Sequence, residues 1–252
     1  MKWAVVAAVA LLLLAGVLAW LWTPDLDRAT LQARYLRAPG DLVDVAGVRL
    51  HVRDTGPRQA PVLILLHGFG ASLHTWDAWA EALSKDRRVI RLDWPGSGLS
   101  APDPTGDYSD ARSQQLLLAL MDARGVARAS VLGHSIGGRI AWAFAAQHPG
   151  RVDQLVLLAP DGFARPGFEY GKKPALPAVM SWLRYALPRA ALRHSLLPAY
   201  ADPATLSDAM TARYHDLMPG VGHLPQEERP ALGLASVQGF LRPVSAAPGA
   251  PI

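Results

Sequence analysis

The pentapeptide Gly133-His134-Ser135-Ile136-Gly137 places a serine between an apolar run at 130–132 and a helical pattern over 138–147. In such a strand-to-helix setting, the two glycines permit a sharp turn that exposes the serine hydroxyl. A serine hydroxyl attacks a carbonyl carbon when a neighbouring base accepts its proton. The sequence therefore predicts that Ser135 is a nucleophile that attacks carbonyl carbons.

A second loop is suited to stabilise the negative charge that this attack creates on the carbonyl oxygen. The sequence His67-Gly68-Phe69-Gly70 directly follows the apolar run 62–66, and its glycines let the backbone approach a bound carbonyl. Preorganised backbone N–H groups are a usual source of such stabilisation. The start of the helix after Ser135 also directs its N–H groups towards the same place. We expect the N–H groups of Phe69 and Ile136 to form the oxyanion hole.

The general base is expected to be a histidine that follows Ser135 in the chain and lies on a loop. His223 lies in the Gly-Pro-rich loop Pro219-Gly220-Val221-Gly222-His223-Leu224-Pro225, just before a terminal helical pattern. Other histidines after the serine either end the helix that follows it or fall in an amphipathic segment; these are His148, His194 and His215. The pattern favours His223 as the base.

Two further residues are expected to contact substrate. His134 adjoins the nucleophile, and Trp182 lies in the segment 163–217, which also carries Phe168 and Tyr185. This segment is Pro-rich and amphipathic, and we interpret it as an inserted helical lid. Its apolar side chains favour an apolar acyl or aromatic substrate, although lids are also apolar underneath for packing reasons.

The loops that carry these residues interrupt a regular alternation of strand and helix patterns. The predicted strands are 42–45, 48–53, 62–66, 89–92, 130–132 and 152–158, and the predicted helices are 72–83, 110–124 and 138–147. Such alternation predicts an α/β fold with a mostly parallel sheet that helices cover on both faces. We expect this domain to span 42–242 with a terminal helix at 229–241, followed by a disordered tail at 243–252.

The N-terminus carries an uninterrupted apolar stretch at 3–22, preceded by Lys2. Twenty helical residues match the roughly 30 Å hydrocarbon core of a bilayer. The stretch ends in Ala19-Trp20-Leu21-Trp22, which is bulky where signal peptidase needs small residues and suits a membrane interface. We predict a transmembrane anchor at 1–22 with a linker at 23–41, and a cleaved signal peptide is the alternative. Our preferred orientation holds the catalytic domain outside the cytoplasm, in the periplasm or at the outer face.

Composition excludes some classes of protein. The chain has 252 residues, of which 50% are hydrophobic, so one large domain can bury a sufficient core. It contains no cysteine, which excludes disulfides and thiolate metal sites. Its net charge of +4 arises from scattered arginines rather than a basic run, so we expect no nucleic acid partner. We expect neither a cofactor nor a metal, and a small-molecule ester or lipid as substrate.

Four ordered motifs together resemble the α/β-hydrolase superfamily over about 42–242. They are His67-Gly68-Phe69-Gly70 with Trp76 following, Asp93-Trp94-Pro95-Gly96-Ser97-Gly98-Leu99-Ser100, the Gly133–Gly137 pentapeptide, and Gly222-His223 with Arg229-Pro230. The pattern is most similar to the esterase, lipase, haloperoxidase-like and C–C-bond hydrolase branches with a helical lid. The resemblance implies a catalytic triad in the chain order serine, acid, histidine.

The chain departs from this pattern between the serine and the histidine. The resemblance implies an acid after a penultimate strand, yet no aliphatic strand ending in Gly-x-x-Asp occurs in 164–222. We infer that two strands, their helix and the usual acid are missing before Pro219. A natural deletion, a gene-model error joining Met218 to Pro219, and a degraded copy all remain open. Asp161, which follows the strand 152–158, is the best substitute acid, although Pro160-Asp161-Gly162 also suits a simple turn.

These observations support three hypotheses. The first is a serine hydrolase of carboxylic esters, including lipid esters, that uses Ser135 and His223. The second is a cofactor-free haloperoxidase or a C–C-bond hydrolase built on the same residues. The third is a hydrolase-fold remnant that is inactive or acts only by binding, which the missing segment favours.

Overall fold

The computed structural model describes residues 2–23, 25–162 and 188–217. The strands are β1 (Leu42–Val45), β2 (Val48–Thr55), β3 (Val62–Leu66), β4 (Arg88–Leu92), β5 (Ala129–His134) and β6 (Val152–Leu158). The helices are α1 (Lys2–Leu21), α2 (Arg28–Tyr35), α3 (Asp77–Leu83), α4 (Asp110–Ala123), α5 (Ile136–Gln147), α6 (Arg189–Leu196) and α7 (Asp208–Leu217).

The strands form a six-stranded sheet in the order β1-β2-β4-β3-β5-β6. The first two pairings are antiparallel, whereas β4, β3, β5 and β6 run parallel to one another. The carboxyl ends of the four parallel strands therefore meet at one edge of the sheet. Ligands of open α/β sheets bind in the crevice outside this edge, where the loops after β3, β4, β5 and β6 converge.

Helices pack on both faces of the sheet, as the alternation in the sequence predicts. On one face, Ile64 and Val131 pack with residues of α4 and α5, such as Leu117 and Phe144. On the other face, Leu63 and Leu132 belong to a cluster that includes Trp76. The central strands are buried on both sides, which explains their continuous apolar sequences. The predicted α/β class with a mostly parallel sheet is confirmed.

The predicted helix over 72–83 is wrong in its first turn. Residues Leu73–Trp76 form a 3-10 turn, and α3 begins only at Asp77. The N–H of Leu73 donates to the Oδ1 atom of Asp93 over 2.6 Å instead of entering a helix. A partner twenty residues further along the chain thus overrides the local pattern.

The N-terminal helix α1 is long and apolar enough to cross a membrane. It has 20 residues, a mean hydropathy of 2.7 over its most apolar window, and no buried residue. A signal sequence meets the same criteria, so α1 is consistent with either an anchor or a signal. The short helix α2 follows, and the carboxylate of Asp27 caps its first turn by accepting from the N–H of Thr30 at 2.9 Å.

The described part of the predicted lid, 188–217, consists of α6, α7 and short 3-10 turns. Its apolar side chains form a small cluster that packs against Ala71, in the loop after β3. Leu192, Leu196 and Tyr214 are buried in that cluster. The remainder of the predicted lid at 163–187, the predicted helix 229–241 and the predicted tail 243–252 lie outside the described residues.

Candidate active site

Ser135 adopts a backbone conformation that L-residues rarely occupy, with φ +53° and ψ −120°. It lies at the junction between β5 and α5, and three hydrogen bonds hold the turn. Its N–H donates to the carbonyl oxygen of Leu158 at 3.1 Å, and its own carbonyl oxygen accepts from the N–H groups of Arg139 and Asp161. Backbone strain of this kind persists where the surroundings over-determine it, and it is concentrated at functional sites.

The glycines on either side of Ser135 are required by close backbone contacts. A Cβ atom on Gly133 would lie 2.2 Å from the carbonyl oxygen of Gly137, and one on Gly137 would lie 2.5 Å from that of Leu66. Neither position can accept a side chain without moving the backbone. The Gly-x-Ser-x-Gly pattern is therefore a packing requirement of this turn.

The loop after β3 packs directly against the serine. A Cβ atom on Gly68 would lie 3.0 Å from both the Cβ of Ser135 and the Nδ1 atom of His134. The next residue, Phe69, has a relative exposure of 65%. Phe69 and Ile136 both line the large cavity described below. This proximity is what the predicted oxyanion hole requires, and the roles of these two N–H groups stay a prediction.

A buried histidine fixes the first residue of this loop. The Nδ1–H of His67 donates to the carbonyl oxygen of Gly68 at 2.7 Å, and its Nε2 accepts from the backbone N–H of Trp94 at 3.0 Å. The indole N–H of Trp94 returns a bond to the carbonyl oxygen of His67 at 3.2 Å. Burial lowers the pKa of His67, which keeps the ring neutral so that one nitrogen donates and the other accepts.

Asp93 organises the loop after β4 from a fully buried position. Its carboxylate accepts from the Nδ1–H of His51 at 2.7 Å and from the N–H groups of Leu73 and Leu99 at 2.6 and 2.9 Å. Burial acts to raise the pKa of Asp93, but these hydrogen bonds and the neighbouring histidines hold it below its usual value. Gly98 lies so close that a Cβ there would meet the carboxylate at 2.1 Å.

A cavity of about 470 Å³ opens beside the serine turn. Its apolar wall, among the described residues, includes Phe69, Trp94, Leu116, Ile140 and Leu217. Its polar wall includes Ser97, Asp107, Tyr108, Asp110, Arg112, Ser113 and Arg139. A cavity of this volume with a mainly apolar surface and a few polar groups is typical of a small-molecule site.

Arg139 and Tyr108 belong to the cavity wall, and neither was among the residues expected from the sequence. The guanidinium of Arg139 pairs with Asp110 at 2.9 Å and with Asp161 at 3.3 Å. The spacing of Arg139, four residues after Ser135 on a helix that begins at the site, could have indicated its position. Tyr108 lies in an irregular loop and carries no such signal.

The structure brings some of the predicted site residues together and leaves others outside its description. Asp161 lies beside the serine, since its N–H donates to the carbonyl oxygen of Ser135 at 2.9 Å. His134 is fully buried and packs against Gly68, and its contact with substrate stays a prediction. The predicted base His223 and the predicted contact Trp182 lie outside the described residues, as do Met218 and Pro219. Within the described ranges, no group of three His, Asp or Glu side chains is placed to hold a metal ion.

Comparison with known proteins places this geometry in a family. Residues 61–235 match the family model of the alpha/beta hydrolase fold. The match covers most of the chain, so the protein belongs to the α/β-hydrolase family. Its relatives include proteins named as 2-hydroxymuconate semialdehyde hydrolase, putative carbamate hydrolase and epoxide hydrolase.

Particular similarities are to proteins of different named activities. The chain is 34% identical over 168 residues to the dihydrolipoyllysine-residue acetyltransferase component of the acetoin cleaving system of Pseudomonas putida, covering 66% of this chain and 43% of that protein. It is 35% identical over 138 residues to 2-hydroxymuconate semialdehyde hydrolase of Pseudomonas putida, covering 52% and 48%. The crystal structure of the enol-lactonase from Burkholderia xenovorans LB400 matches with a TM-score of 0.58 and 29% identity, over 77% of this chain and 72% of that one. The chain thus spans less than half the length of either curated relative.

Proposed function

We propose that the protein is a serine hydrolase of carboxylic esters. The observation that carries the proposal is the strained backbone of Ser135. The loop at Gly68 packs against this serine, and a mainly apolar cavity lies next to it. A serine held at a sharp strand-to-helix turn, next to a second loop of backbone N–H groups, has the geometry that attack on an acyl carbon requires. Family membership supports hydrolysis in general, and the ester is our inference from the site.

In the proposed mechanism, the hydroxyl of Ser135 attacks the ester carbonyl while His223 accepts its proton. The N–H groups of Phe69 and Ile136 stabilise the oxyanion of the tetrahedral intermediate. His223 then protonates the leaving alcohol, and an acyl-enzyme forms on Ser135. Water, activated by His223, attacks the acyl-enzyme and releases the carboxylic acid, which restores the serine hydroxyl.

We propose Asp161 as the carboxylate that orients His223. It follows β6 at the carboxyl edge of the sheet, and a hydrogen bond fixes its backbone to that of Ser135. Arg139 pairs with its carboxylate at 3.3 Å, so the charge is partly neutralised before a histidine is added. An acid in this role fixes the histidine tautomer and stabilises the imidazolium that forms during attack.

The same residues also suit the C–C-bond hydrolysis and haloperoxidase hypotheses. One comparison favours the former, since 2-hydroxymuconate semialdehyde hydrolase is 35% identical over 138 residues. Substrates distinguish the reactions: an esterase turns over p-nitrophenyl esters, whereas a C–C hydrolase turns over a vinylogous diketone. A remnant that only binds would turn over neither compound.

We further propose that α1 is an uncleaved membrane anchor and that the catalytic domain lies outside the cytoplasm. The apolar length of α1, with Trp20 near its end and Trp22 just beyond it, supports the anchor. Lys2, which precedes the apolar stretch, supports an N-terminus in the cytoplasm and therefore a catalytic domain outside it. A membrane position would give the enzyme access to lipid esters as well as to soluble ones.

The test of the proposed reaction is hydrolysis of p-nitrophenyl butyrate by the full-length protein in detergent. We expect Ser135→Ala to reduce the rate to background, because no other hydroxyl occupies the strained turn. Ser97→Ala is the matched control, since Ser97 lines the same cavity but lies on the loop after β4. Equal activity of wild type and Ser135→Ala would overturn the proposal, as would absence of turnover in the wild type.

A further inference from the structure

A second cavity lies between α2 and the loop after β4. Its volume is about 190 Å³. Its described lining includes the apolar side chains of Leu26, Leu31, Pro102 and Leu217 and the charged side chains of Arg28 and Asp216. Its wall therefore combines apolar side chains with charged groups, as expected for a site that accepts an amphiphile.

This second cavity adjoins the cavity beside Ser135. Gly96 and Leu217 line both of them, so a thin wall separates the two spaces. The N–H of Gly98 donates to the carbonyl oxygen of Leu217 across this wall at 3.3 Å. That distance exceeds the usual N–H···O range of roughly 2.7–3.2 Å, so this hydrogen bond across the wall is a weak one.

One residue that lines the second cavity lies close in sequence to the end of α1. Asp25, which lines the cavity, is only four residues beyond Leu21, the end of α1. Four extended residues span at most about 14 Å. If α1 spans the bilayer as proposed, the part of the cavity lined by Asp25 is held within about that distance of the end of α1.

The helix after the anchor is also joined to the wall between the cavities. The carboxylate of Asp216, whose side chain is 4% exposed, accepts from Tyr35 at 2.8 Å and pairs with Arg34 at 3.0 Å and Arg189 at 3.4 Å. Burial and the bond to Asp216 raise the pKa of Tyr35 to about 12, so the phenol stays a donor at neutral pH. The next residue, Leu217, is the wall residue itself. Contacts of α2 thus fix the position of the wall.

We propose that the second cavity is the access route by which a membrane-borne ester with a long acyl chain reaches Ser135. The chain enters from the bilayer side, between α2 and the loop after β4, and passes Leu217 and Gly96 into the apolar cavity. The inference deepens the proposed ester hydrolysis and rests on it, together with the proposed anchor. It names the substrate class as long-chain esters that partition into membranes.

The first test compares two esters with the full-length protein reconstituted in phosphatidylcholine vesicles. Leu31→Trp fills the second cavity without altering the wall of the first, and Ala33→Trp places the same bulk on an exposed position of the same helix. We expect Leu31→Trp to lower hydrolysis of vesicle-borne p-nitrophenyl palmitate at least tenfold more than hydrolysis of soluble p-nitrophenyl acetate. Ala33→Trp is expected to change neither rate. Equal effects of Leu31→Trp on both esters, or no effect on either, would overturn the access route.

The second test does not depend on turnover or on a variant that must fold. A diazirine-bearing palmitoyl ester is placed in the same vesicles with wild-type protein, irradiated, and the adducts are mapped by mass spectrometry. We expect adducts at Leu26, Leu31, Pro102 or Leu217. Adducts at these residues without hydrolysis of any ester would overturn the proposed reaction but support binding of the acyl chain in the second cavity. Hydrolysis of acetate without such adducts would overturn the access route alone.

Discussion

The backbone N–H of Asp161 donates to the carbonyl oxygen of Ser135 over 2.9 Å, which ties the loop after β6 to the nucleophile turn. The same carbonyl oxygen accepts from the N–H of Arg139, and the guanidinium of Arg139 pairs with the carboxylate of Asp161. The nucleophile and the proposed acid therefore share a set of contacts that does not depend on the lid. This arrangement makes the role of Asp161 open to a direct test.

Asp161→Asn is expected to lower kcat for p-nitrophenyl butyrate by about 10⁴-fold, as loss of the acid does in a serine protease triad. Asp110→Asn is the matched control, because Asp110 also pairs with Arg139. We expect Asp110→Asn to lower kcat by a few-fold at most. Similar losses in both variants would show that the ion pairs of Arg139, rather than a catalytic acid, explain the effect of Asp161.

Gly98→Ala is expected to destabilise the protein more than Gly106→Ala, although both glycines have positive φ values of +52° and +68°. Either alanine incurs the left-handed penalty of roughly 1–2 kcal/mol. At Gly98 the new Cβ would also lie 2.1 Å from the carboxylate of Asp93, whereas at Gly106 nothing lies within 4 Å. Displacing that carboxylate leaves buried partners unsatisfied, which costs about 1–3 kcal/mol more.

Urea denaturation in detergent measures the free energy of unfolding of the two variants. We expect Gly98→Ala to lower the free energy of unfolding by about 1–3 kcal/mol more than Gly106→Ala does. That result supports the role of Asp93 in holding the loop after β4. Equal losses would contradict it, because both substitutions would then act through backbone conformation alone.

The free energy of unfolding is expected to fall as the pH is lowered from 7.5 to 5. Burial lowers the pKa of His67 and of His74 in the folded state, whereas an unfolded histidine titrates near about 6.5. Between the folded and the unfolded histidine pKa, the unfolded chain binds more protons than the folded protein. The contribution of these histidines to the free energy of unfolding is therefore complete above the unfolded pKa, and it is lost as the pH falls from there through the folded pKa. The pKa of Asp93 is also lowered in the folded state, so its contribution to the free energy of unfolding is lost only in acid, below the unfolded aspartate pKa of about 3.9.

The variant His67→Gln isolates the contribution of His67 to this pH dependence, because glutamine offers both a donor and an acceptor but does not titrate. The variant is expected to be less stable at pH 7.5 and to show a shallower decline between pH 7.5 and 5. Parallel declines in wild type and His67→Gln, measured by urea denaturation, would contradict the assignment of a neutral buried imidazole.

Local patterns were sufficient to predict the sheet, its mostly parallel order and the turn at Ser135. These features depend on neighbours in sequence, such as the apolar run of β3 and the glycines around the serine. The pairing of His51 with Asp93, forty-two residues later, could not be predicted in the same way, because it arises only when β2 and β4 pair. The bond from Leu73 to Asp93 likewise replaced a predicted helical turn with a 3-10 turn.

The cavity wall shows the same division between local and long-range information. Phe69 and Ile136 were predicted from the loops that carry them, and both line the cavity. Arg139 faces it because α5 starts at the site, and Leu217 lines it because contacts of Asp216 with α2 hold the end of α7 there. Those contacts join residues about 180 positions apart, which no pattern in the sequence indicates.

Labelling by a fluorophosphonate tests the central claim, that Ser135 is an activated nucleophile, most directly. The full-length protein in detergent is treated with the reagent, digested, and the modified residue is identified by mass spectrometry. We expect a single adduct on Ser135 that is absent from Ser135→Ala and retained in Ser97→Ala. Labelling that persists in Ser135→Ala, or an intact wild-type protein that takes up no label, would contradict the account.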